Sequence, residues 1–277
     1  MDYIVPTGLE EAFGHLARGP VHIVAGGTDY YPSRRRGALA CDLLDVTRIA
    51  ELQGVTRGDA GWRIGAATRW SDVIHADLPP AFNGLKAAAR EVGSIQIQNA
   101  GTVAGNLCNA SPAADGVPPL LTLDAQVELG SSQGLRMLAL SDFITGPRRT
   151  ALQPGEMVTA IHVPEPPNGA TSGFAKLGAR RYLVISITMT AALLTLDQRG
   201  FIAEARVAVG ACSPVACRLP ALEASLIGQD PSAPSIDSAL LSPLAPIDDV
   251  RGSAAYRADA VSEQIAEALR AAGGKHG

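Results

Sequence analysis

The spacing of apolar residues predicts short helices and strands that alternate along the first 165 residues. Ala12, Phe13 and Leu16 fall on one face of a helix over residues 8–18, and a similar stripe recurs over residues 80–92. Short apolar runs beside glycine-rich turns indicate strands instead. The predicted helices cover residues 8–18, 71–76, 80–92 and 117–124. The predicted strands cover residues 21–24, 43–46, 62–66 and 125–129.

The pattern changes after about residue 165. The stretch PEPPNGATSG at 164–173 has the turn-rich composition of a linker or long loop. Two long apolar runs, 184–197 and 202–211, predict strands joined by a hairpin at residues 197–200. The remaining predicted elements are a strand from residue 174, a helix over 219–227, a loop with a short helix over 228–249, and a last helix over 253–271. The pattern therefore predicts a mixed helix-and-strand chain in two parts, divided near residue 165.

Composition and charge are those of a globular protein rather than a nucleic-acid-binding or membrane protein. With 47% hydrophobic residues the chain can form a core, and its net charge of −4 lacks the basic footprint of a nucleic-acid binder. The dense basic run Arg34-Arg35-Arg36 has no interleaved aromatic residues, which favours a solvated loop. No segment reaches the roughly 18 apolar residues of a membrane span. The N-terminus lacks the plan of a signal peptide, so we expect a cytoplasmic protein.

The cysteine and histidine spacing predicts no metal site. None of the four cysteines forms a C-x-x-C pair, and the five histidines are scattered without an H-E-x-x-H motif. A Ser-His-Asp arrangement stays open, but no G-x-S-x-G motif supports one. We therefore expect neither metal ligands nor catalytic residues in this chain.

Two glycine-rich stretches carry the candidate chemistry. The first, VAGGTDYYP at 24–32, follows a predicted strand, and the second, NAGTVAGN, spans 99–106. Glycines let a ligand approach the backbone, and successive exposed N–H groups form a concave site for an anion. Neither loop contains Lys or Arg, so a bound diphosphate would be held mainly by backbone dipoles and hydroxyl groups. The alternative is that each loop is only a tight turn.

Familiar nucleotide motifs are missing from the sequence. No G-x-G-x-x-G follows a strand, so a Rossmann site is not supported, and no G-x-x-x-x-G-K-[ST] is present. The residues by themselves predict an anion or dinucleotide site built from two small-residue loops.

The paired stretches resemble a known family. AGGTD at 25–29 together with GTVAGNLCNASPAAD at 101–115 is similar to the flavoprotein subunit of the molybdenum hydroxylases, which include xanthine dehydrogenases and carbon monoxide dehydrogenases. The likeness continues through residues 118–156, 172–180 and 246–257 and so covers most of the chain. It implies an α+β protein: an FAD-binding fold of the vanillyl-alcohol-oxidase (PCMH) type with two subdomains, followed by a small α+β C-terminal domain with an antiparallel sheet and helices.

The resemblance also implies domain bounds and site residues. The FAD-binding domain would cover residues 1–165, with subdomains of about 1–55 and 56–165, and the C-terminal domain would cover residues 170–277. The implied cofactor-binding residues are Val24, Ala25, Gly26, Gly27, Thr28, Asp29, Gly101, Thr102, Gly105, Asn106, Cys108, Asp115, Val158 and Lys176.

Residues 25–29 and 101–106 would wrap the FAD diphosphate and ribityl chain. Asn106 and Asp115 would hydrogen-bond polar groups of the cofactor, and Cys108 would lie near the flavin ring. Ala104 departs from the family, where glycine is common, and Gln98 stands where arginine is frequent. Both departures put cofactor affinity in doubt.

The function implied by the resemblance is electron transfer. A molybdenum subunit would oxidise the substrate, iron–sulfur clusters of a second subunit would carry the electrons, and FAD in this chain would pass them to NAD⁺ or another acceptor. The absence of cysteine clusters agrees with metals residing on partner subunits. Two alternatives remain: a stand-alone FAD-dependent oxidase or reductase, and a scaffold that keeps the fold without FAD.

Overall fold

The protein is described by a computed structural model that covers residues 2–33, 41–180 and 184–274. The basic run at residues 34–36 lies outside the described residues. Within these ranges the chain forms three larger sheets and one two-stranded ribbon, with helices packed against the sheets, which confirms the predicted mixed helix-and-sheet class.

The strands account for most of the predicted apolar runs. In chain order they are β1 (Tyr3–Ile4), β2 (Val21–Val24), β3 (Asp42–Asp45), β4 (Val55–Gly58), β5 (Gly61–Gly65), β6 (Gln126–Ser131), β7 (Gly134–Ala139), β8 (Ile144–Gly146), β9 (Arg149–Thr150), β10 (Met157–Val163), β11 (Thr171–Leu177), β12 (Thr188–Leu196), β13 (Ile202–Gly210) and β14 (Cys217–Arg218).

The helices are mostly short, and the longest comes last in the sequence. In chain order they are α1 (Leu9–Arg18), α2 (Trp70–His75), α3 (Asn83–Glu91), α4 (Ile95–Gln98), α5 (Val103–Asn109), α6 (Val117–Thr122), α7 (Leu140–Phe143), α8 (Pro220–Ser225) and α9 (Ala254–Ala272). Single 3₁₀ turns cover Ala50–Leu52, Pro80–Phe82 and Ser238–Leu241.

The sheets differ in direction and in how far apart their strands lie in sequence. The first is parallel, in the order β1-β3-β2, and the second is antiparallel, in the order β4-β5-β10-β6-β7. The third is antiparallel, in the order β11-β12-β13-β14, and β8 and β9 form a small separate ribbon. Because β10 lies between β5 and β6, the second sheet is complete only when residues near 160 pair at its centre.

The strand β12 lies between two hydrophobic cores. Leu193 belongs to the core that the first two sheets share with α2, α3, α5 and α6, whereas Leu194 belongs to the core under α9. Successive side chains of a strand point to opposite faces, so a strand buried on both faces is apolar throughout. This explains the long apolar run that the sequence shows in this region.

Most predicted elements are confirmed, and two differences affect the candidate site. The second glycine-rich stretch does not remain a loop, because residues 103–109 form α5. Thr102 caps its start, and Ala110 caps its end with a backbone φ of 45°. Small residues at helical positions give no amphipathic stripe, which hid this helix. The predicted strand over 184–197 begins only at Thr188, and residues 184–187 lie outside it.

Candidate functional site

The two glycine-rich stretches touch each other beyond the end of β2. Gly26 lies directly against Ala100, and a Cβ built on Gly26 would stand 1.9 Å from the carbonyl oxygen of Ala100. Only a hydrogen atom fits in this position. The contact brings two distant segments of the chain to one place, as the paired motifs predict.

The neighbouring Gly27 needs glycine for a different reason. Its backbone φ is +66°, a left-handed conformation that residues with a side chain rarely adopt. A Cβ there would also stand 2.6 Å from Cε2 of Tyr31, whose N–H donates to the Gly27 carbonyl at 3.2 Å. The turn and the Tyr31 ring therefore fix the first loop together.

The second segment is anchored to the chain that leads into α2. The N–H of Trp70 donates to the carbonyl of Gly101 at 3.1 Å, and the N–H of Val103 donates to the carbonyl of Thr68 at 2.9 Å. Thr102 caps α5, because its Oγ1 accepts a hydrogen bond from the N–H of Gly105 at 3.1 Å. Gly101 and Thr102 are therefore held in place by the backbone before any ligand binds.

A cleft of about 300 Å³ opens between the two segments. Its walls include most of the predicted cofactor-binding residues. These are Val24, Ala25, Gly26, Gly27, Thr28, Asp29, Gly101, Thr102, Gly105, Asn106 and Cys108.

The cleft continues into a second cavity of about 330 Å³. Thr28, Asp29 and Asn106 line both spaces, and the second one extends to Asp115. Val184 and Ile185 form another part of its wall, together with Arg148 and Val92, which follows α3. Two of the sequence-predicted residues therefore mark opposite ends of one elongated space, Gly27 at one end and Asp115 at the other.

Asp115 and Lys176 form a buried ion pair at the second cavity. Lys176 Nζ stands 2.7 Å from Asp115 Oδ2, with 6% of the lysine and 10% of the aspartate side chain exposed. Ser186 donates to the other carboxylate oxygen at 2.6 Å, and Lys176 also donates to the carbonyl of Glu91 at 3.1 Å. Burial raises the pKa of Asp115, and this outweighs the lowering by Lys176 and Ser186. Removing two charges from water is costly, so a buried pair of this kind is a candidate for a functional role.

Of the remaining predicted residues, one lies away from the cleft and one is exposed on its wall. Val158 lies in β10 opposite Leu129 and belongs to the first hydrophobic core, away from the described cleft walls. Cys108 is an exposed residue of α5 and lies on the cleft wall. The structure thus gathers both loops, Asn106 and Cys108 at the cleft, places Asp115 and Lys176 beside the second cavity, and leaves Val158 in the core.

The cleft wall fits a dinucleotide such as FAD. Among the described residues, no Lys or Arg lines the glycine-rich part, which offers bare backbone with the Thr28 and Thr102 hydroxyls. Asn106 Oδ1 is buried, and no hydrogen-bond partner for it exists in the described ranges. Buried polar atoms normally have a partner, so this oxygen is available to a donor group of a ligand.

Sequence reasoning missed several residues of the site. Trp70 and Ile97 line the cleft, Arg148 and Ile185 line the second cavity, and Ser186 binds Asp115. No motif marks them: Ile97 lies in the four-residue helix α4, and Ser186 lies in an apolar run that predicts only a strand. Their roles depend on tertiary contacts that a single sequence does not display.

Comparison with protein families gives two matches that together span nearly the whole chain. A family described as the FAD binding domain in molybdopterin dehydrogenase matches residues 1–166. A second, described as the CO dehydrogenase flavoprotein C-terminal domain, matches residues 174–272.

Individual relatives cover the same length. The chain is 32% identical to the putative xanthine dehydrogenase FAD-binding subunit of Escherichia coli K12, with 96% of this chain and 95% of that protein aligned. It is also 32% identical to the alpha subunit of the 6-hydroxypseudooxynicotine dehydrogenase complex of Paenarthrobacter nicotinovorans, over 97% and 93% of the two chains.

Solved structures share the fold. A chain of the cyanide-inactivated Cu,Mo-CO dehydrogenase superposes with a TM-score of 0.92 at 27% identity, covering 99% of this chain and 98% of that one. A chain of quinoline 2-oxidoreductase from Pseudomonas putida 86 superposes with a TM-score of 0.85 at 25% identity, covering 99% and 97%.

Proposed function

The chain belongs to the FAD-binding subunits of the molybdenum hydroxylases, and from this membership we propose that it takes electrons from iron–sulfur clusters of a partner subunit and delivers them through FAD to NAD⁺ or another acceptor. The family resemblance and the expected FAD-binding fold with its C-terminal domain are confirmed. The chain is an FAD-binding subunit of an oxidoreductase complex. The route and the final acceptor of the electrons belong to the proposal.

The observation that carries the proposal is the contact of Gly26 with Ala100, which unites both motifs in one cleft. In the proposal, residues 25–29 and 101–106 hold the diphosphate and ribityl chain, with backbone N–H groups and hydroxyls in place of basic side chains. Asn106 supplies a buried acceptor to a donor group of FAD. When bound, FAD supplies the redox chemistry that connects one-electron carriers to an acceptor.

The other predicted residues have less direct roles in the proposal. Asp115 and Lys176 hold the far end of the site as an ion pair, and Cys108 contributes a small side chain near the flavin ring. Val158 acts from within the core, behind the cleft. None of these residues transfers a proton to or from an organic substrate, so we assign no catalytic residue to this chain.

We further propose that residues 1–165 form the FAD-binding domain, with subdomains of about 1–55 and 56–165, and that residues 170–277 form the flavoprotein C-terminal domain. The first two sheets lie in the first part, and the third sheet with α9 lies in the second, with Leu193 of β12 packing into the first core. The molybdenum cofactor and the iron–sulfur clusters reside on partner subunits in this proposal. Each helix in the described ranges is too short or too polar to cross a bilayer, and the cytoplasmic location stays a prediction.

The two departures from the family do not favour a scaffold that lacks FAD. Ala104 lies inside α5, where its backbone φ is negative and its methyl group is buried. Gln98 donates to the carbonyl of Arg90 at 2.8 Å and so has a structural partner. The chain accommodates both substitutions without blocking the cleft.

The proposal is tested by co-purifying the chain with its neighbouring gene products and recording the visible spectrum. We expect a flavin spectrum together with iron–sulfur and molybdenum subunits. Flavin on a fully active lone chain would support the stand-alone enzyme instead. A chain that binds no flavin after incubation with FAD would contradict both.

A further inference from the structure

The segment of residues 184–187, which we name the strap, borders the second cavity and is not part of any strand. Val184 and Ile185 contribute to the cavity wall, and Ile185 is 51% exposed. The next two residues, Ser186 and Ile187, are almost completely buried. The first two residues of the strap therefore line the cavity, and the last two are buried in the protein interior.

The first anchor of the strap comes from the FAD-binding part of the chain. Ser186 is 1% exposed, and its hydroxyl donates to Asp115 Oδ1 at 2.6 Å. Lys176 engages the other oxygen of the same carboxylate. A hydrogen bond to a charged group is stronger than one between neutral groups. The Asp115 carboxylate therefore fixes the strap and borders the cavity at the same time.

The second anchor comes from the start of the last helix. Arg257, which is 2% exposed, donates from Nη1 to the carbonyl of Ile187 and, at 3.1 Å, to the carbonyl of Ala211. Its Nη2 stands 2.7 Å from Asp249 Oδ1 in the turn before α9. The carbonyl of Ile187 is thus held by a guanidinium group whose orientation depends on Asp249.

A third set of contacts keeps the strap close to β11. The N–H of Ile187 donates to the carbonyl of Leu177 at 2.8 Å. Val184 packs on Gly178, where a Cβ would stand 2.3 Å from a Val184 methyl carbon. These contacts place the strap beside β11, the strand that also carries Lys176. The anchors of the strap therefore connect it to the Asp115–Lys176 pair and to α9.

We propose that Ser186 and Arg257 are positioning residues that hold the strap against the second cavity of the site and limit the access of solvent to the bound cofactor there. The inference rests on the proposed function, because it requires FAD in the cleft. Neither residue needs to touch the cofactor. Ser186 acts through Asp115 and Val184–Ile185, and Arg257 acts through the carbonyl of Ile187.

The test uses the full chain loaded with FAD and two variants, Ser186→Ala and Asp249→Asn. The first removes the hydroxyl that binds Asp115, and the second removes the charge that orients Arg257. We expect the dissociation constant for FAD to rise about tenfold in Ser186→Ala, the loss of one charge-assisted hydrogen bond. We also expect stronger quenching of flavin fluorescence by iodide in both variants, because a loosened strap admits solvent.

The matched control is Ser172→Ala. Ser172 is also a buried serine, and its hydroxyl accepts from the N–H of Gly84 at 2.8 Å and donates to the carbonyl of Ala81 at 2.7 Å. It lies away from the strap, so its loss should lower stability and leave iodide quenching at the wild-type value. Equal quenching changes in Ser172→Ala and Ser186→Ala would overturn the inference, since destabilisation alone would then explain them.

A measurement on the wild-type chain is independent of the folding of any variant. Hydrogen exchange at the Ile187 amide should slow when FAD is added, while exchange at the Gly84 amide should not change. The proposed role of the strap would be refuted by unchanged exchange at Ile187 in the FAD-loaded chain, or by wild-type quenching in both strap variants. A wild-type chain that takes up no FAD would instead refute the proposed function.

Discussion

At the scale of single residues, the cleft depends on positions in its wall where only glycine is tolerated. Gly26 has no room for a methyl group against Ala100, and Gly27 has a conformation that other residues avoid. The basic side chains that often bind phosphates are absent from the described part of this wall. Affinity for FAD should therefore depend on the shape of the backbone more than on charge.

Gly26→Ala should separate the two loops. The new methyl group would overlap the Ala100 carbonyl, and overpacking of this kind typically costs about 1–3 kcal/mol. We expect the dissociation constant for FAD to rise at least about tenfold, which corresponds to about 1.4 kcal/mol. Isothermal titration with FAD measures this directly.

The matched control for that variant is Gly14→Ala in α1. Nothing lies within 4 Å of a Cβ at Gly14, so alanine should stabilise the helix by up to about 1 kcal/mol and leave FAD binding unchanged. Wild-type affinity in Gly26→Ala would show that the two loops do not form the cofactor wall.

At the scale of elements, the turn before α9 is organised around Asp249. Its carboxylate accepts hydrogen bonds from the N–H of Arg251 and from the guanidinium groups of Arg251 and Arg257. Burial by itself would raise the pKa of Asp249, but these bonds outweigh it and lower the pKa to about 2. The turn therefore depends on a charged carboxylate.

The pH dependence of stability should reveal this carboxylate. A lowered pKa in the folded state means that Asp249 stabilises the fold above its unfolded pKa, near 4, and that this stabilisation disappears as the pH falls towards 2. Denaturant unfolding between pH 5 and pH 2 measures the effect. The free energy of unfolding should fall less steeply with pH in Asp249→Asn than in the wild type.

Glu263→Gln on the exposed face of α9 serves as the control for that series, because its partner Arg270 is on the same helix. Parallel pH curves for wild type and Asp249→Asn would contradict the assignment of the acid-sensitive group.

The elements differ in how far the sequence could predict them. The hairpin of β12 and β13 was predictable, because a long apolar run, a turn and a second run are local signals. The two-residue strand β1 was not, since it exists only through parallel pairing with β3 near residue 43. The helix α5 was hidden because its small residues give no stripe, and β10 becomes central only through pairing with β5 and β6.

The site shows the same limit. The loops at 25–29 and 101–106 were predictable from glycines and from the family likeness, and the structure brings them together. The contacts of Ser186 and Arg257 could not be predicted, because they join residues about 70 positions apart in each case. A buried serine in an apolar run looks like any strand residue until its partner is known.

At the scale of the whole molecule, Asp124 links the two parts of the chain. It follows α6, with a backbone φ of 51°, and its two oxygens stand 2.6 Å from Arg206 of β13 and 2.6 Å from Arg218 of β14. Each arginine also has a partner within its own part, Glu204 and Glu223. These ion pairs are the electrostatic part of the link, to which Leu193 of β12 adds apolar packing in the first core.

Asp124→Asn should weaken this link only slightly. Asparagine tolerates the left-handed backbone, and pairs with a half-exposed partner contribute at most about 1 kcal/mol. We expect a small drop in melting temperature that shrinks at high salt, because salt screens the charges. Thermal unfolding at two salt concentrations measures the effect.

Glu263→Ala removes an ion pair within α9 and should show no effect on the docking of the two parts. A large, salt-independent loss of stability in Asp124→Asn would mean that the contribution of Asp124 is not electrostatic.

The double anchoring of the strap also has a consequence for how the protein is made. Asp115 is synthesised long before Arg257, and domains generally fold in the order in which they leave the ribosome. A nascent chain can thus form both glycine loops while the Ile187 carbonyl of the strap still lacks its hydrogen bond from Arg257. Because the strap completes the cavity wall only after α9 has been translated and docked, we expect stable loading of the cofactor to follow translation.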